Sequence, residues 1–226
     1  MSIIKKQIEA YQENFLENLG TPEGTFQNNL ETQYLRFSRL IKFFRLEQEN
    51  TIHDIGCGIC DMYKYFKSIN LKNFIYSGTE IVPEMVNYGK EKYKDIKIFN
   101  QDILKIDDSI KYDYLVLSGV FNLPGKTDRK EWKEFCFKMI DKMFELCNKA
   151  ISFNFLTTNG TFQAPELFYL DPTEVFNYCL KKHSRFVVLD NNYPLYEFTI
   201  TVYNAKEMEK EFDSKPFKKY FKNNNE

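Results

Sequence analysis

The spacing of apolar residues changes several times along the chain, and each change marks an element. Near the N-terminus Ile4, Ile8, Tyr11, Phe15 and Leu19 recur every three or four positions, the period of an amphipathic helix. Gly20 and Pro22 should end it, and the polar stretch GTPEGTFQ leads to a second helical repeat through Leu30, Tyr34, Phe37, Ile41 and Phe44. The period then shortens. Residues 51–55 form a compact apolar, β-branched run that reads as a buried strand. Met62, Tyr65, Phe66 and Ile69 restore helical spacing, and FIYSGTE is a second strand that ends at Glu80. Pro83 suits the first turn of a helix continued by Met85, Val86 and Tyr93. IKIFNQDILK is a third strand, and YDYLVLSGVFN a fourth, almost continuously apolar as strands buried on both faces are.

A long helix over about 129–147 carries Trp132, Phe135, Met139, Ile140 and Met143. AISFNFLT is a fifth strand, and the long connection TNGTFQAPELFYLDP after it has the length of a functional loop. PTEVFNYCLKK is a helix opened by Pro172, and FVVLD and YEFTITVY are the last strands. Only NNYPL separates those two, too few residues for a parallel crossover, so they must pair as a hairpin. The pattern predicts an α/β, Rossmann-like fold: a seven-stranded mixed sheet with an antiparallel last strand and helices on both faces. Residues 1–50 are expected to form a helical lid, 51–204 the main domain and 205–226 a charged tail.

Length and composition narrow the class. The 226 residues suffice for one sizeable core. No apolar run approaches the roughly 18 residues of a membrane span, and MSIIKKQIEAYQ has no apolar signal core, so a cytoplasmic location and no membrane partner are expected. The 31 basic residues are balanced by 32 acidic ones, leaving no overall field to draw a nucleic acid. The basic cluster from Lys215 to Lys222 reads as a solvated tail. Five cysteines, an odd number, point to reduced thiols. Cys57 and Cys60 form a CxxC, but there is no second pair, and His53 and His183 stand alone, so no metal site is expected. His53 reads as a histidine packed inside the first strand.

Candidate chemistry gathers where that strand stops, at Asp54-Ile55-Gly56-Cys57-Gly58. The glycines allow a tight turn and close approach of the backbone to a ligand. A dinucleotide site wants a third glycine and keeps acids away from the helix N-terminus that holds the pyrophosphate. Here Asp61 takes that glycine's place and Asp54 ends the strand. Two carboxylates repel a pyrophosphate but suit a ligand bearing an ammonium and a sulfonium. S-adenosylmethionine is such a ligand. Glu80, at the tip of the second strand, stands where a carboxylate can accept bonds from ribose hydroxyls.

Over roughly residues 30 to 204 the chain resembles the class I S-adenosylmethionine-dependent methyltransferases. DIGCG matches their first motif, Glu80 the acidic second, Gln101-Asp102-Ile103 the third and LVLSGVFN the strand-four motif, with Cys60 in place of the usual third glycine. The resemblance implies that Asp54 and the Gly56 and Gly58 backbones hold the methionine end, Glu80 the ribose, Asp102 the adenine amino group and the Ile103 amide the ring. It implies further that Ile81, Ser118 and Phe121 line the pocket, with Ile55, Cys57, Met85, Gln101 and Gly119 completing the cofactor set. SGVFN, FNFLT and YPLYEFT together are similar to a small bacterial branch linked to surface-polysaccharide (capsule) decoration. That likeness implies O-methylation of a small polar metabolite, at a sugar hydroxyl or a phosphate- or phosphoramidate-type oxygen.

Open α/β sheets bind ligands at the carboxyl ends of their strands. Asn122, Asn154, Thr157, Tyr169 and Tyr193 are therefore candidates to hold an acceptor, with Arg36 reaching in from the second helix. No histidine falls at such a strand end, so none is expected to act as general base, and no catalytic residue is assigned. Alternatives are an NAD(P)-dependent oxidoreductase, a methyltransferase acting on a macromolecule, or a degenerate binding subunit; the protein is expected as a monomer or homodimer.

Overall fold

The apolar runs assemble into one mixed sheet in the computed structural model, which describes residues 2–18, 24 and 29–221. Five strands run parallel: β1 (Asn50–Ile55), β2 (Phe74–Glu80), β3 (Lys97–Asn100), β4 (Tyr112–Leu117) and β5 (Cys147–Thr157). A two-residue strand, β6 (Tyr169–Leu170), pairs with the end of β5; β7 (Val187–Asp190) and β8 (Glu197–Tyr203) complete the sheet. The order is β3-β2-β1-β4-β5-β8-β7. β8 is antiparallel to both β5 and β7, so the hairpin and the reversed last strand are present as expected. β6 is an addition, formed where the sequence suggested only loop.

Alternation along the strands builds a core on each face. Leu115 and Leu117 of β4 enter one cluster with Trp132, Met139 and Ile140, while Tyr114 and Val116 enter the other with Phe37, Leu40 and Phe66. Each such fully buried side chain contributes about 1.5–3 kcal/mol relative to exposure. The first cluster is covered by α5 (Arg129–Leu146) and α6 (Pro172–Lys182), the second by α2 (Leu30–Ile41) and α3 (Asp61–Ser68). A third, smaller cluster joins Phe15 of α1 (Ile3–Glu17) to Val82 and Met85 at the start of α4 (Pro83–Lys92). The helices start where side-chain oxygens can take orphan N–H groups: Asn29 caps α2, Asp128 caps α5 and Asp171, ahead of Pro172, caps α6.

α1 has ended by Asn18, and the expected stop at Gly20 and Pro22 lies outside the described residues. Part of the expected tail is ordered: α7 (Ala205–Glu211) is capped by Asn204 and held by ion pairs from Lys149 to Glu207, at 3.8 Å, and from Arg45 to Glu211. Lys222, the end of the basic cluster, lies outside the described residues. His53 is fully buried, stacked on Tyr112 with ring centres 4.0 Å apart, and its Nδ1 is 2.8 Å from the Ser77 hydroxyl. Burial pushes its pKa down to about 3, so it is a neutral, packed side chain.

Candidate active site

Register brings the chemistry to one edge of the sheet. Ile55 pairs with Thr79 on β2 and Leu117 on β4, and Glu80 pairs with Asn100 on β3. The residues just beyond those points therefore converge: the Gly56–Gly58 turn, Glu80 and Ile81, Gln101 and Asp102, and Ser118 and Gly119. They surround a cavity of about 800 Å³.

The glycine turn is shaped by contact. Gly56 has φ +67°, and a Cβ there would stand 2.4 Å from Cγ2 of Val120. The Gly56 and Cys57 amides both donate to the Thr79 carbonyl, at 2.8 and 3.1 Å, which fastens the turn to β2. Cys60 adopts φ +65°, a left-handed backbone in a residue with a Cβ, at the position of the missing third glycine. Such a residue costs about 1–3 kcal/mol and persists only where packing over-determines it. Here the Cys60 side chain is fully buried, its Sγ 3.8 Å from the Cys57 Sγ, and both thiols are free.

Three carboxyl groups gather around this turn. Glu80 accepts from the Ile81 and Val82 amides through Oε1, at 2.7 and 3.0 Å, and from the Gly58 amide through Oε2, at 2.9 Å. One side chain thus ties the β1 turn to the β2 turn. Burial raises the Glu80 pKa, and these three N–H groups pull against it. Asp54 accepts from the Tyr76 hydroxyl at 2.7 Å. Burial, opposed by that bond and aided by the Glu80 and Asp61 carboxylates, pushes Asp54 up to about 7. Asp61, in the first turn of α3, accepts from Gln33 Nε2 at 3.2 Å. Asp102 stands apart and caps the short turn Ile103–Lys105 by accepting from the Leu104 amide at 3.0 Å.

The N-terminal helices form the cavity's other wall. Ile4, Gln7 and Tyr11 of α1 face it, as do Gln33, Arg36 and Phe37 of α2. Gln7 donates to the Leu123 carbonyl at 3.2 Å and Gln12 to Glu84 at 2.7 Å, which pins α1 across the opening. Burial beside Glu80 raises the Tyr11 phenol above its ordinary pKa. Arg36 forks onto Glu197 of β8, its Nε 3.0 and 2.8 Å from the two carboxylate oxygens. Asn154 Nδ2 donates to the same carboxylate at 2.6 Å, and Asn154 Oδ1 accepts from the Gly119 amide at 2.8 Å. A chain of polar contacts thus runs from α2 through two strands to the turn after β4.

No protein-family model matches the chain. Its fold is that of solved methyltransferases: the N-methyltransferase NodS of Bradyrhizobium japonicum, in complex with S-adenosylhomocysteine, superposes with a TM-score of 0.59 at 12% identity, over 88% of this chain and 98% of that one. A methyltransferase of Aquifex aeolicus, described as SAM-dependent, gives 0.53 at 14% identity over 78% and 94%. In sequence, the Mycobacterium tuberculosis protein named "Putative methyltransferase Rv1506c" is 32% identical over 160 residues, 69% of this chain and 93% of that one. The chain belongs to the class I methyltransferases.

Thirteen of the fourteen residues expected at this methyltransferase's cofactor site stand in the cavity wall: Asp54 to Gly58, Glu80, Ile81, Met85, Gln101 to Ile103, Ser118 and Gly119. Phe121 does not. It is fully buried and stacked on Phe155, 4.5 Å between ring centres, because the turn after β4 points it into the core. Of the acceptor candidates, Arg36 and Asn122 face the cavity and four do not. Asn154 is buried behind Glu197. Thr157 accepts from the Asn159 amide as a turn cap. Tyr169 accepts from the Ala164 amide, and Tyr193 is buried with its hydroxyl 3.0 Å from that of Thr199. Strand-end position alone selected these four; Asn154 and Thr157 fall within β5 and Tyr169 within β6, and strand packing and turn contacts direct their side chains elsewhere. Glu166 and Glu197 in the wall were not anticipated. Among the described residues no metal-binding cluster occurs, and no helix is long and apolar enough to cross a membrane.

Proposed function

We propose that the chain transfers a methyl group from S-adenosylmethionine to an oxygen of a small polar acceptor, a sugar hydroxyl in the modification of a surface-polysaccharide precursor. The observation that carries the reading is the row of carboxyl groups, Asp54, Glu80 and Asp102, at the carboxyl ends of three neighbouring strands around a glycine turn. Crowded acids with one exposed cation at their rim, Lys105 at 4.0 Å from Asp102, suit a ligand with positive centres and hydroxyl donors, and disfavour a pyrophosphate. The buried Thr79 and Ser118 hydroxyls have no hydrogen-bond partner among the described residues, which leaves them for a polar ligand. The residues present fit the cofactor.

In this reading Asp54 and the Gly56–Gly58 backbone hold the amino-acid end, Glu80 the ribose and Asp102 the adenine amino group, with Ile81, Met85 and Ile103 against the ring. Bound S-adenosylmethionine supplies an electrophilic methyl carbon on a sulfonium. The chain's part is to hold the acceptor in line and exclude water, and effective molarities from such positioning reach about 10⁵–10⁸ M. Residues 1–50 serve as the lid, since both helices line the cavity and α1 is pinned at Leu123 and Glu84. A roofed cavity suits a small acceptor better than a macromolecule. A sugar hydroxyl is the better supported oxygen, because Arg36, which could have met a phosphate, is engaged with Glu197.

Calorimetry with S-adenosylmethionine and NADH tests the cofactor, and transfer of labelled methyl to a panel of sugars tests the acceptor. Uptake of NADH with none of the sulfonium compound would overturn the reading.

A further inference from the structure

The cavity is acidic, and its cation is occupied. Asp54, Asp61, Glu80, Asp102, Glu166 and Glu197 line it, and among the described residues Arg36 is the only basic side chain in the wall. Arg36 is bound through its Nε to both oxygens of Glu197, which Asn154 also contacts. An anionic acceptor would have to draw Arg36 away and leave Glu197, 4% exposed, as a buried charge without its partner, an arrangement proteins strongly disfavour.

Besides the Thr79 and Ser118 hydroxyls, the Glu166 carboxylate and the Asn122 side-chain oxygen in the same wall are unengaged. Glu166 makes no hydrogen bond or ion pair among the described residues, and Asn122 Oδ1 is buried with no donor. The segments that carry them are joined, since the amide of Phe168, two residues beyond Glu166, donates to the Asn122 backbone carbonyl at 2.8 Å. The segment bearing Glu166 is also held from outside: the Arg129 guanidinium donates to the Leu167 carbonyl at 2.8 Å and to that of Pro165. A carboxylate and an amide oxygen on fixed backbone, in a wall that carries six acids and one paired cation, with Lys105 beside Asp102 and Arg129 beside the Glu166 backbone outside it, suit a donor that is itself positive. An ammonium offers three N–H groups and that charge.

We propose that the acceptor carries a protonated amino group, received by the Glu166 carboxylate and Asn122 Oδ1, so that Glu166 sets specificity for aminated over neutral or phosphorylated acceptors. The inference rests on the methyltransferase reading above and deepens it. The methylated oxygen is then a hydroxyl elsewhere on the same small molecule, as an amino sugar would provide.

The test is calorimetric titration of the full chain, saturated with S-adenosylhomocysteine, by glucosamine, glucose and glucose 6-phosphate. Glucosamine is expected to bind about tenfold or more tighter than glucose, the scale of one charge-assisted hydrogen bond, and glucose 6-phosphate more weakly than glucose. Glu166→Gln, at an exposed position, should bring glucosamine down to the level of glucose and leave S-adenosylhomocysteine affinity unchanged. Tightest binding of glucose 6-phosphate, equal binding of glucosamine and glucose, no binding of glucosamine, or an undiminished preference in Glu166→Gln would each overturn the proposal. Failure of wild type to bind S-adenosylhomocysteine strikes the cofactor reading itself and removes the acceptor proposal with it.

Discussion

Binding of a positively charged cofactor should expel a proton from Asp54. Burial together with Glu80 and Asp61 holds that carboxyl at about 7, against an ordinary value near 4. A sulfonium and an ammonium favour the ionised form, so the ligand binds the deprotonated protein. At pH 5.5 only about one molecule in 30 has Asp54 ionised, and at pH 7 about half do. Affinity for S-adenosylmethionine should therefore rise roughly fifteenfold between those values, a window in which the ligand's own amino group, of pKa about 8, stays protonated. Titration calorimetry in buffers of different ionisation enthalpy should count close to one proton released per ligand at pH 6. Without ligand the same shift acts on folding: a carboxyl with a raised native pKa stabilises most below its unfolded value, and the contribution is lost as pH rises from about 4 through 7. Asp54→Asn should abolish both the proton release and the pH dependence of affinity. A wild-type affinity flat from pH 5.5 to 7, or an Asp54→Asn variant with the same slope, would refute the electrostatic argument.

Other consequences are more local. Glu80→Gln keeps the side chain's shape but removes its charge, and should weaken S-adenosylmethionine binding by about 1.5–3 kcal/mol in calorimetry; unchanged affinity would count against the ribose assignment. Gly56→Ala places a Cβ against Val120 at a left-handed φ and should lower stability to urea by about 2 kcal/mol, measured from the unfolding midpoint. Arg36→Met leaves Glu197 buried without its partner and should cost about 3–5 kcal/mol, much of it recovered in Arg36→Met/Glu197→Gln; equal stability of the single and double variants would show that the pair is not coupled. His183→Ala alters a side chain set between Phe144 and Asp141, outside the cavity wall, so kcat/KM should fall far less than a hundredfold.

The glycine-turn half of the cavity was legible because it is local. A strand, a glycine turn and a helix occupy consecutive residues, and parallel pairing then has little choice about where Asp54, Glu80 and Asp102 arrive. Even the departure at Cys60 could be located in sequence, although its left-handed backbone could not. The ordering of 205–211 went unread because alternating charges mark a helix face as readily as a solvated tail, and only the cap at Asn204 distinguishes the two.

The half built from Arg36, Glu197 and Glu166 follows a different rule. Glu197 lies 161 residues from Arg36 and 43 from Asn154, and a strand reading YEFTITVY gives no sign that its glutamate is a charge anchor rather than an exposed end. Glu166 sits in a loop whose course depends on Arg129 and Asn122, residues of other elements. Tyr193 and Thr157 looked equally eligible by position and were consumed by packing and turn formation. The same long-range contacts make that wall separable from the one at the glycine turn. Apart from the Asn154 bond to the Gly119 amide, the Arg36, Glu197 and Asn154 network touches none of the groups at the glycine turn. Under the proposal above, Glu166→Gln should therefore move acceptor affinity while the Asp54 and Glu80 geometry, and with it S-adenosylhomocysteine affinity, stays unchanged.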